Sequence, residues 1–197
     1  MNYNEASRER LIEIIEEKDM LIQKLNIIKA KLQYQAYMDC VTGVLSRRAG
    51  LEVLDTTIED AAKHGENCTI CFADIDDFKR INDTFGHIEG DKLLGSIGNV
   101  LRRNIRKVDT VFRIGGDEFV IIFPSTTLEE AKTICGRVCR EIGELRGKDT
   151  ENYKIGLSCG FAEYNGKHKV TASELIGRAD EGMYVGKRGR RKSIGVV

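Results

Sequence analysis

Apolar residues recur at alternating spacings of three and four along the first part of the chain. Residues 5–37 contain neither Gly nor Pro, and the a and d positions of a heptad fall at residues 11, 14, 18, 21, 25, 28, 32 and 35. Only Lys18 and Gln35 are polar in this series, so the pattern predicts one long helix with a narrow apolar stripe. The stripe favours a parallel coiled-coil homodimer over packing on the helix's own domain, and further isoleucines beside it leave a four-helix assembly open.

The pattern changes at residue 38, and the remainder predicts a separate domain of strands and helices. We therefore divide the chain into a dimerisation helix, residues 1–37, and a globular domain, residues 38–197. Helical periodicity runs through residues 47–64, 77–85, 90–106, 128–145 and 172–184. Short apolar runs predict strands at residues 68–74, 110–114, 119–123, 154–164 and 193–197. This order predicts an α+β fold, a ferredoxin-like, polymerase-palm-type domain whose central, mainly antiparallel sheet is flanked by helices.

One predicted hairpin has a turn that is rich in glycine and acid. Between its strands lie Gly115, Gly116, Asp117 and Glu118. Because glycine adopts positive φ at little steric cost, the two glycines suit a tight turn or a close approach by a ligand. The turn then presents Asp117 and Glu118 at its edge. Taken alone, such a turn is most often a solvated hairpin, so this pattern by itself assigns no function.

A second predicted strand also ends in carboxylates, Asp74 and Asp76. If this strand end lies beside the turn that carries Asp117 and Glu118, several hard oxygen ligands are gathered at one site. Such ligands suit Mg²⁺, which binds a few carboxylates together with substrate phosphates. Asp76 has an alternative role as the cap of the helix that begins near Asp77.

With these two motifs the sequence resembles the GGDEF family of diguanylate cyclases. Residues 115–119 read Gly-Gly-Asp-Glu-Phe, the family signature, and residues 72–91 match the family's other long motif almost throughout. Residues 38–48 resemble the family's entry motif, in which Ser46 stands where the family has asparagine. The resemblance covers about residues 38–197 and implies the palm-type fold predicted above.

The resemblance implies an enzyme that condenses two GTP into cyclic di-GMP and releases two pyrophosphates. It implies Mg²⁺ as the cofactor, with two ions per active site and Mn²⁺ as a substitute. The Asp74 carboxylate, the Ile75 carbonyl and Asp117 would hold the metals. Glu118 would either coordinate metal or assist deprotonation of the 3′-hydroxyl, and the base stays open between Asp117 and Glu118. Because each half-site holds one GTP, two domains must face each other, and a homodimer through residues 5–37 would bring them together.

The resemblance also assigns residues to the triphosphate. The backbone N–H groups of Asp77, Phe78 and Lys79 would bind phosphate at a helix start, and the Lys79 side chain would add a cation for the leaving charge. Lys187 and Arg191 align with the Lys and Arg that bind triphosphate in the family. A solvated basic tail is the alternative for this run, because three flanking residues depart from the family pattern.

Selection of the base is assigned by the resemblance to Asn82 and Asp91, which the family uses against guanine. A carboxylate accepts hydrogen bonds from guanine N1–H and its exocyclic amine, whereas adenine N1 is itself an acceptor. We therefore expect GTP to be preferred over ATP. His87 resembles another residue that lines the nucleotide pocket, with a satisfied turn histidine as the alternative.

Arg106 and Asp109 match the family's inhibitory Arg-x-x-Asp site. At such a site the product binds through its guanines and phosphates, so the resemblance implies feedback inhibition by cyclic di-GMP. On spacing alone the two residues would be an ordinary intrahelical pair.

The composition limits which classes of binding partner and which cellular compartment we expect. The formal net charge is +0, which argues against binding to nucleic acid or to an anionic membrane. The 6 cysteines lie in apolar segments and are typical of reduced core residues rather than metal ligands. No apolar run approaches the ~20 residues of a membrane span, and no signal-peptide pattern opens the sequence. We therefore expect a soluble, cytoplasmic protein.

Two other function classes are open at this point. A degenerate relative that senses GTP or cyclic di-GMP without turnover would lack Asp74, Asp117 or Glu118, and all three are present. A purely structural coiled-coil protein would have no use for the dense acidic and glycine motifs.

Overall fold

The computed structural model describes the backbone of residues 3–145 and 155–193. Side chains are described over the same ranges except at residues 3–6, 30–36 and 188–193. The chain divides into two compact units, Met1–Tyr37 and Met38–Val197. This division falls where the heptad pattern ends.

The first unit is one long helix, α1 (Tyr3–Tyr37). Its length follows from a run of good helix formers that no Gly or Pro interrupts. The apolar stripe is open to solvent, since Leu21 is 56% exposed and Leu25 is 55% exposed. The predicted helix is confirmed, whereas its pairing with a second chain stays a prediction.

The second unit contains the five predicted helices and the first four predicted strands in the predicted order. Its helices are α2 (Arg47–His64), α3 (Phe78–Phe85), α4 (His87–Asn104), α5 (Leu128–Gly143) and α6 (Ala172–Ser193). Its strands are β1 (Cys68–Ile75), β2 (Thr110–Arg113), β3 (Glu118–Pro124) and β4 (Leu157–Tyr164). None of the described helices, in either unit, is long and apolar enough to cross a membrane.

The four strands form one sheet in the order β2-β3-β1-β4. Every pairing is antiparallel, so the predicted α+β architecture with an antiparallel sheet is confirmed. The two hydrogen-bonded neighbours of β1 are β3 and β4, which makes β1 a central strand. Its acidic end therefore lies between two other strands rather than at a free edge.

The core lies on both faces of this sheet. Cys71, Ala73 and Ile75 of β1 belong to one buried cluster, together with residues of α4 and α5. Ile70 and Phe72 belong to the cluster on the opposite face, together with residues of α2 and α6. This alternation is the period of two expected of a strand that is buried on both sides. The near-continuous apolar run of β1 in the sequence has this cause.

One glycine lets α6 lie directly on β4. A Cβ atom at Gly160 would stand 2.1 Å from the Ala179 carbonyl oxygen and 2.2 Å from the Met183 amide nitrogen. Both are backbone atoms of α6, so no side-chain rotation relieves the collision. Close approach of α6 to the sheet therefore requires glycine at this position.

Three predicted features differ from the structure. The last helix does not end at Tyr184 but continues through the basic run to Ser193, because Lys and Arg are good helix formers and no proline stops the run. Ser193 is thus helical rather than the start of a strand, and residues 194–197 lie outside the described residues. The glycines at 115 and 116 do not have positive φ, which is found instead at Gly43, Gly65, Gly86 and Gly166.

Candidate functional site

The two acidic strand ends meet at one end of the sheet. The antiparallel register of β1 and β3 places Asp74 directly opposite Glu118. The Ile75 amide donates a hydrogen bond of 3.1 Å to the Asp117 carbonyl, which fixes the turn against the end of β1. Three of the predicted acids therefore share one small region.

The electrostatics of this acidic cluster (Asp74, Asp76, Asp117 and Glu118) are those of crowded negative charge. Burial raises the pKa of Asp74, and the charges of Asp117 and Asp76 raise it further against the opposing effect of Lys187. Burial also raises the pKa of Glu118, as do the neighbouring charges of Asp117 and Asp74. A cation placed among these carboxylates would relieve both effects.

Lys187 supplies one such positive charge from α6. Its ammonium group pairs with Asp74 and lies 3.9 Å from Asp76 Oδ1. Arg191 belongs to the same helix, but its side chain lies outside the described residues. The extension of α6 beyond the predicted end is what carries Lys187 across to the acidic cluster.

The two hairpin glycines differ in how much space surrounds them, and neither has a positive φ. A Cβ atom at Gly115 would lie 2.1 Å from a carboxylate oxygen of Glu118. At Gly116 a Cβ would meet nothing within 4 Å, so the turn has an open side that a ligand can approach. The Glu118 carboxylate therefore occupies the space that a side chain at position 115 would take.

Arg113 and Asp39 order this turn, and sequence reasoning missed both residues. Arg113 Nη2 donates to the Gly116 carbonyl at 2.6 Å, and Nη1 donates to Asp39 at 3.2 Å. Burial opposes ionisation of Asp39, yet hydrogen bonds from Thr42 and the charge of Arg113 outweigh it, so the pKa of Asp39 is lowered. The only sequence signal for this link is the acid that opens the entry motif.

Asp76 does not cap the following helix. Its carboxylate accepts a hydrogen bond of 2.5 Å from the Ser158 hydroxyl, and its amide donates to the Gly156 carbonyl at 2.9 Å. The residue at the N-cap of α3 is Asp77, which has a φ of 56° and makes no side-chain capping bond. Asp76 therefore ties the end of β1 to β4, and Lys79 lies in the first turn of α3.

The donors in the acidic cluster fit a hard divalent cation. Carboxylate and carbonyl oxygens are the ligands that Mg²⁺ prefers, and it usually keeps water or substrate phosphate in its remaining positions. Among the described residues, no group of three or more His, Cys, Asp or Glu side chains is arranged to hold a metal ion by itself. The cluster thus offers part of a coordination shell, which suits an ion shared with a phosphate ligand.

The residues predicted to contact the base lie where α3 meets α4. The Asn82 Oδ1 atom is buried and has no hydrogen-bond partner among the described residues. A Cβ atom at Gly90 would lie 1.9 Å from that oxygen, so glycine at this position makes room for the amide. His87 and Asp91 are exposed in the first turns of α4. An unsatisfied buried oxygen in such a place is a natural acceptor for a ligand N–H.

Comparison with known proteins identifies the family. The family model described as "Diguanylate cyclase, GGDEF domain" matches residues 36–193. The chain belongs to the GGDEF family. Among curated relatives, the diguanylate cyclase DosC of Escherichia coli K12 is 35% identical over 166 residues, which are 82% of this chain and 35% of that protein. The response regulator PleD of Caulobacter vibrioides is 34% identical over 164 residues, or 81% of this chain and 36% of that protein.

Solved structures include a GGDEF protein that matches almost the whole chain. The coiled coil and GGDEF domain of DgcB from Caulobacter crescentus, in complex with c-di-GMP, has a TM-score of 0.84 and 27% sequence identity. The match covers 91% of this chain and 95% of that one. By contrast, the chain spans only about a third of the length of DosC and PleD.

The loop between α4 and β2 of this GGDEF domain holds the Arg-x-x-Asp pair. Arg106 donates to Asp109 from its amide at 2.8 Å and from Nη2 at 2.7 Å. The Asp109 side chain is 0% exposed, whereas that of Arg106 is 47% exposed. Hydrogen bonding by Asp109, more than its charge, raises the pKa of Arg106. A surface depression of about 330 Å³ adjoins the pair and is also lined by Arg102.

Proposed function

We propose that the chain is a diguanylate cyclase that condenses two GTP into cyclic di-GMP and two pyrophosphates. The observation that carries the proposal is the acidic cluster, in which Asp74 and Glu118 face each other across β1 and β3 with raised pKa values. Nucleotidyl transfer needs such a cluster to hold the cations that neutralise a triphosphate. Membership in the GGDEF family connects this chemistry to GTP.

The cofactor in this proposal is Mg²⁺, two ions per active site, with Mn²⁺ as a substitute. Asp74, the Ile75 carbonyl, Asp117 and Glu118 would hold it. When bound, the metal supplies charge neutralisation and lowers the pKa of the attacking 3′-hydroxyl. Asp117 and Glu118 are both candidates for accepting the proton of that hydroxyl, because both lie at the turn beside Asp74.

The triphosphate would lie between the start of α3 and the end of α6. The N–H groups of Asp77, Phe78 and Lys79 would donate to its oxygens, aided by the helix dipole. Lys187 pairs with Asp74 in the free chain. We propose that Lys187 would exchange this partner for the triphosphate when substrate binds, because Asp74 would then hold a metal ion instead. Arg191, one turn further along α6, would bind the same phosphates.

Asn82, Asp91 and His87 would bind the guanine base. The unsatisfied Oδ1 of Asn82 supports this assignment, because a base N–H would satisfy it. The exposed carboxylate of Asp91 favours guanine, which donates from both N1 and N2, over adenine. GTP is therefore the proposed substrate in preference to ATP.

Two copies of the chain are required, because each domain would bring one GTP to a shared reaction. The exposed apolar stripe of α1 is the proposed contact between them. Support comes from DgcB of Caulobacter crescentus, whose solved fragment is described as a coiled coil with a GGDEF domain. Cyclic di-GMP would then restrain the enzyme at Arg106 and Asp109, and relatives solved with c-di-GMP support product binding.

The test is incubation of purified chain with GTP and Mg²⁺, with ATP in a parallel reaction, followed by mass analysis of the nucleotides. We expect cyclic di-GMP and pyrophosphate from GTP and little adenine product. Chelation with EDTA and the variant Asp74→Asn serve as controls, and both should stop turnover. If dimeric protein freed of bound product makes nothing from either nucleotide, the enzyme assignment is wrong and a nucleotide-binding sensor takes its place.

A further inference from the structure

Four cysteines cluster between α5 and the sheet, on the face opposite α2 and α6. Cys71 of β1 pairs with Phe161 of β4, and Cys159 lies two residues before Phe161, so both thiols point to the same side of the sheet. Cys135 and Cys139 lie one helical turn apart on α5 and pack into the same cluster. The Sγ atoms of Cys139 and Cys159 are 3.6 Å apart.

Exposure divides this cluster into an inert half and an accessible half. Cys71 is 0% exposed and Cys135 is 2% exposed, whereas Cys139 and Cys159 are partly exposed. Burial, reinforced by the neighbouring thiols, raises the pKa of Cys71. Because the thiolate is the reactive form, oxidation should spare Cys71 and fall on the accessible thiols.

We propose that Cys139 and Cys159 are an oxidisable pair that forms a disulfide within one chain when a peroxide is the oxidant. A disulfide has an S–S distance of about 2.05 Å, so the two sulfurs must approach each other by about 1.5 Å. Rotation of the two side chains supplies a movement of this size. The two cysteines come from α5 and β4, so the bond would join a helix to an edge strand.

The chemistry balances with one peroxide per disulfide. One thiolate attacks a peroxide oxygen, the O–O bond breaks, and the products are a sulfenic acid and, for hydrogen peroxide, one water. The second thiol attacks the sulfenyl sulfur, the S–S bond forms, and the hydroxyl leaves as a second water. The two thiols lose two electrons and two protons, and the peroxide gains them.

The position of the pair gives the bond a structural consequence. Cys159 directly follows Ser158, whose hydroxyl donates to Asp76 at the end of β1. A Cys139–Cys159 disulfide would therefore fix β4 to α5 one residue from a contact that holds the acidic cluster. The pair itself is independent of the proposed function, because its oxidation is read from the thiols and not from turnover.

The test uses the full chain carrying Cys40→Ser, which removes an exposed thiol that would link two chains. The folded protein is treated with hydrogen peroxide, quenched with catalase, blocked with N-ethylmaleimide in denaturant and digested with trypsin. Trypsin separates the candidate thiols, since Cys135, Cys139 and Cys159 fall in the peptides 133–137, 138–140 and 155–167. We expect a linked pair of 138–140 with 155–167, an intact mass lower by two hydrogens, and reversal by dithiothreitol.

Single substitutions make the assignment specific. Cys139→Ser and Cys159→Ser should each abolish the linked peptide and leave the remaining thiol open to sulfenic acid trapping by dimedone. Cys135→Ala, the matched control one turn away on α5, should leave the linked peptide in place. A disulfide that maps to Cys71 or Cys135 overturns the proposal. So does full alkylation of Cys139 and Cys159 after peroxide treatment of the folded Cys40→Ser chain, a result that needs no further variant to fold.

Discussion

Two places in the globular unit hold carboxylates away from water, and they treat the negative charge in opposite ways. At Asp109 the side chain is 0% exposed, and Arg106 satisfies it through both guanidinium and backbone hydrogen bonds. In the acidic cluster, burial and neighbouring carboxylates raise the pKa of both Asp74 and Glu118, and Lys187 pairs with Asp74. The first charge is neutralised from within, whereas the second is left in excess. Negative charge that the fold itself does not neutralise indicates a site that binds a cation.

The largest expected effect comes from removing the excess charge altogether. We predict that Asp117→Ala combined with Glu118→Ala lowers turnover of GTP by about 10³-fold or more, because the variant would lose two carboxylates that would hold the metal ions. The folded state should keep its stability, since the substitutions relieve repulsion. Cyclic di-GMP formation and thermal unfolding are the two measurements.

A matched control for that variant is Glu129→Ala, which removes a carboxylate that is 81% exposed and pairs with Lys132 on α5. It should leave turnover unchanged. If the double variant still forms cyclic di-GMP and the control does so too, the assignment of the acidic cluster as the active site is wrong.

The next effect in size concerns the internally neutralised charge. We predict that Arg106→Ala lowers the free energy of unfolding by about 3 kcal/mol, because it leaves the Asp109 carboxylate buried without its cation. Arg48→Ala is the control, since its pair with Glu52 is exposed and should be worth less than about 1 kcal/mol. Urea denaturation of both variants measures the difference. If Arg106→Ala costs no more than Arg48→Ala, the contrast between the two carboxylate sites fails.

The smallest effect is a dependence of stability on pH. The pKa of Glu118 is raised above its ordinary value of 4.5, so the folded state binds the proton more tightly than the unfolded state does. The free energy of unfolding therefore falls as pH rises from about that value through the folded pKa. In EDTA, Glu118→Gln should be more stable than the natural chain at pH 7, by under about 1 kcal/mol, and the advantage should vanish at pH 3.

Thermal unfolding across that pH range measures the effect, with the exposed Glu59→Gln as the control variant. An advantage of Glu118→Gln that grew toward pH 3 would contradict the sign. Addition of Mg²⁺ at pH 7 should stabilise the natural chain more than Glu118→Gln, because the metal relieves the same repulsion.

Most of the fold could be predicted because its signals are local. The ends of α2 follow from Ser46, whose side chain accepts from the Ala49 amide, and from Gly65, which takes a φ of 67°. The central strand β1 is predicted by a continuous run of apolar residues in the sequence. The predicted end of α6 at Tyr184 was wrong, because the helix continues through a basic run of good helix formers as far as Ser193.

The candidate site could be predicted in part for the same reason. Asp74, Asp117 and Glu118 stand in recognisable motifs, and antiparallel pairing of two strands is enough to bring them together. The link from Arg113 to Asp39 joins residues 74 positions apart, and no local pattern reports it. The crowding of Gly115 by the Glu118 carboxylate could not be predicted, because the distance between them is visible only in three dimensions.

The absence of a side chain at Gly160 affects the position of the Lys187 ammonium group. A Cβ at this position would lie 2.1 Å from the Ala179 oxygen, so the missing side chain determines how closely α6 approaches β4. Lys187 lies one helical turn beyond Met183. The distance between α6 and β4 therefore sets the position of the Lys187 ammonium group at the end of the sheet that carries Asp74. A single methyl group added at position 160 would push α6 away from β4. A residue with no functional group thereby governs whether a cation meets Asp74.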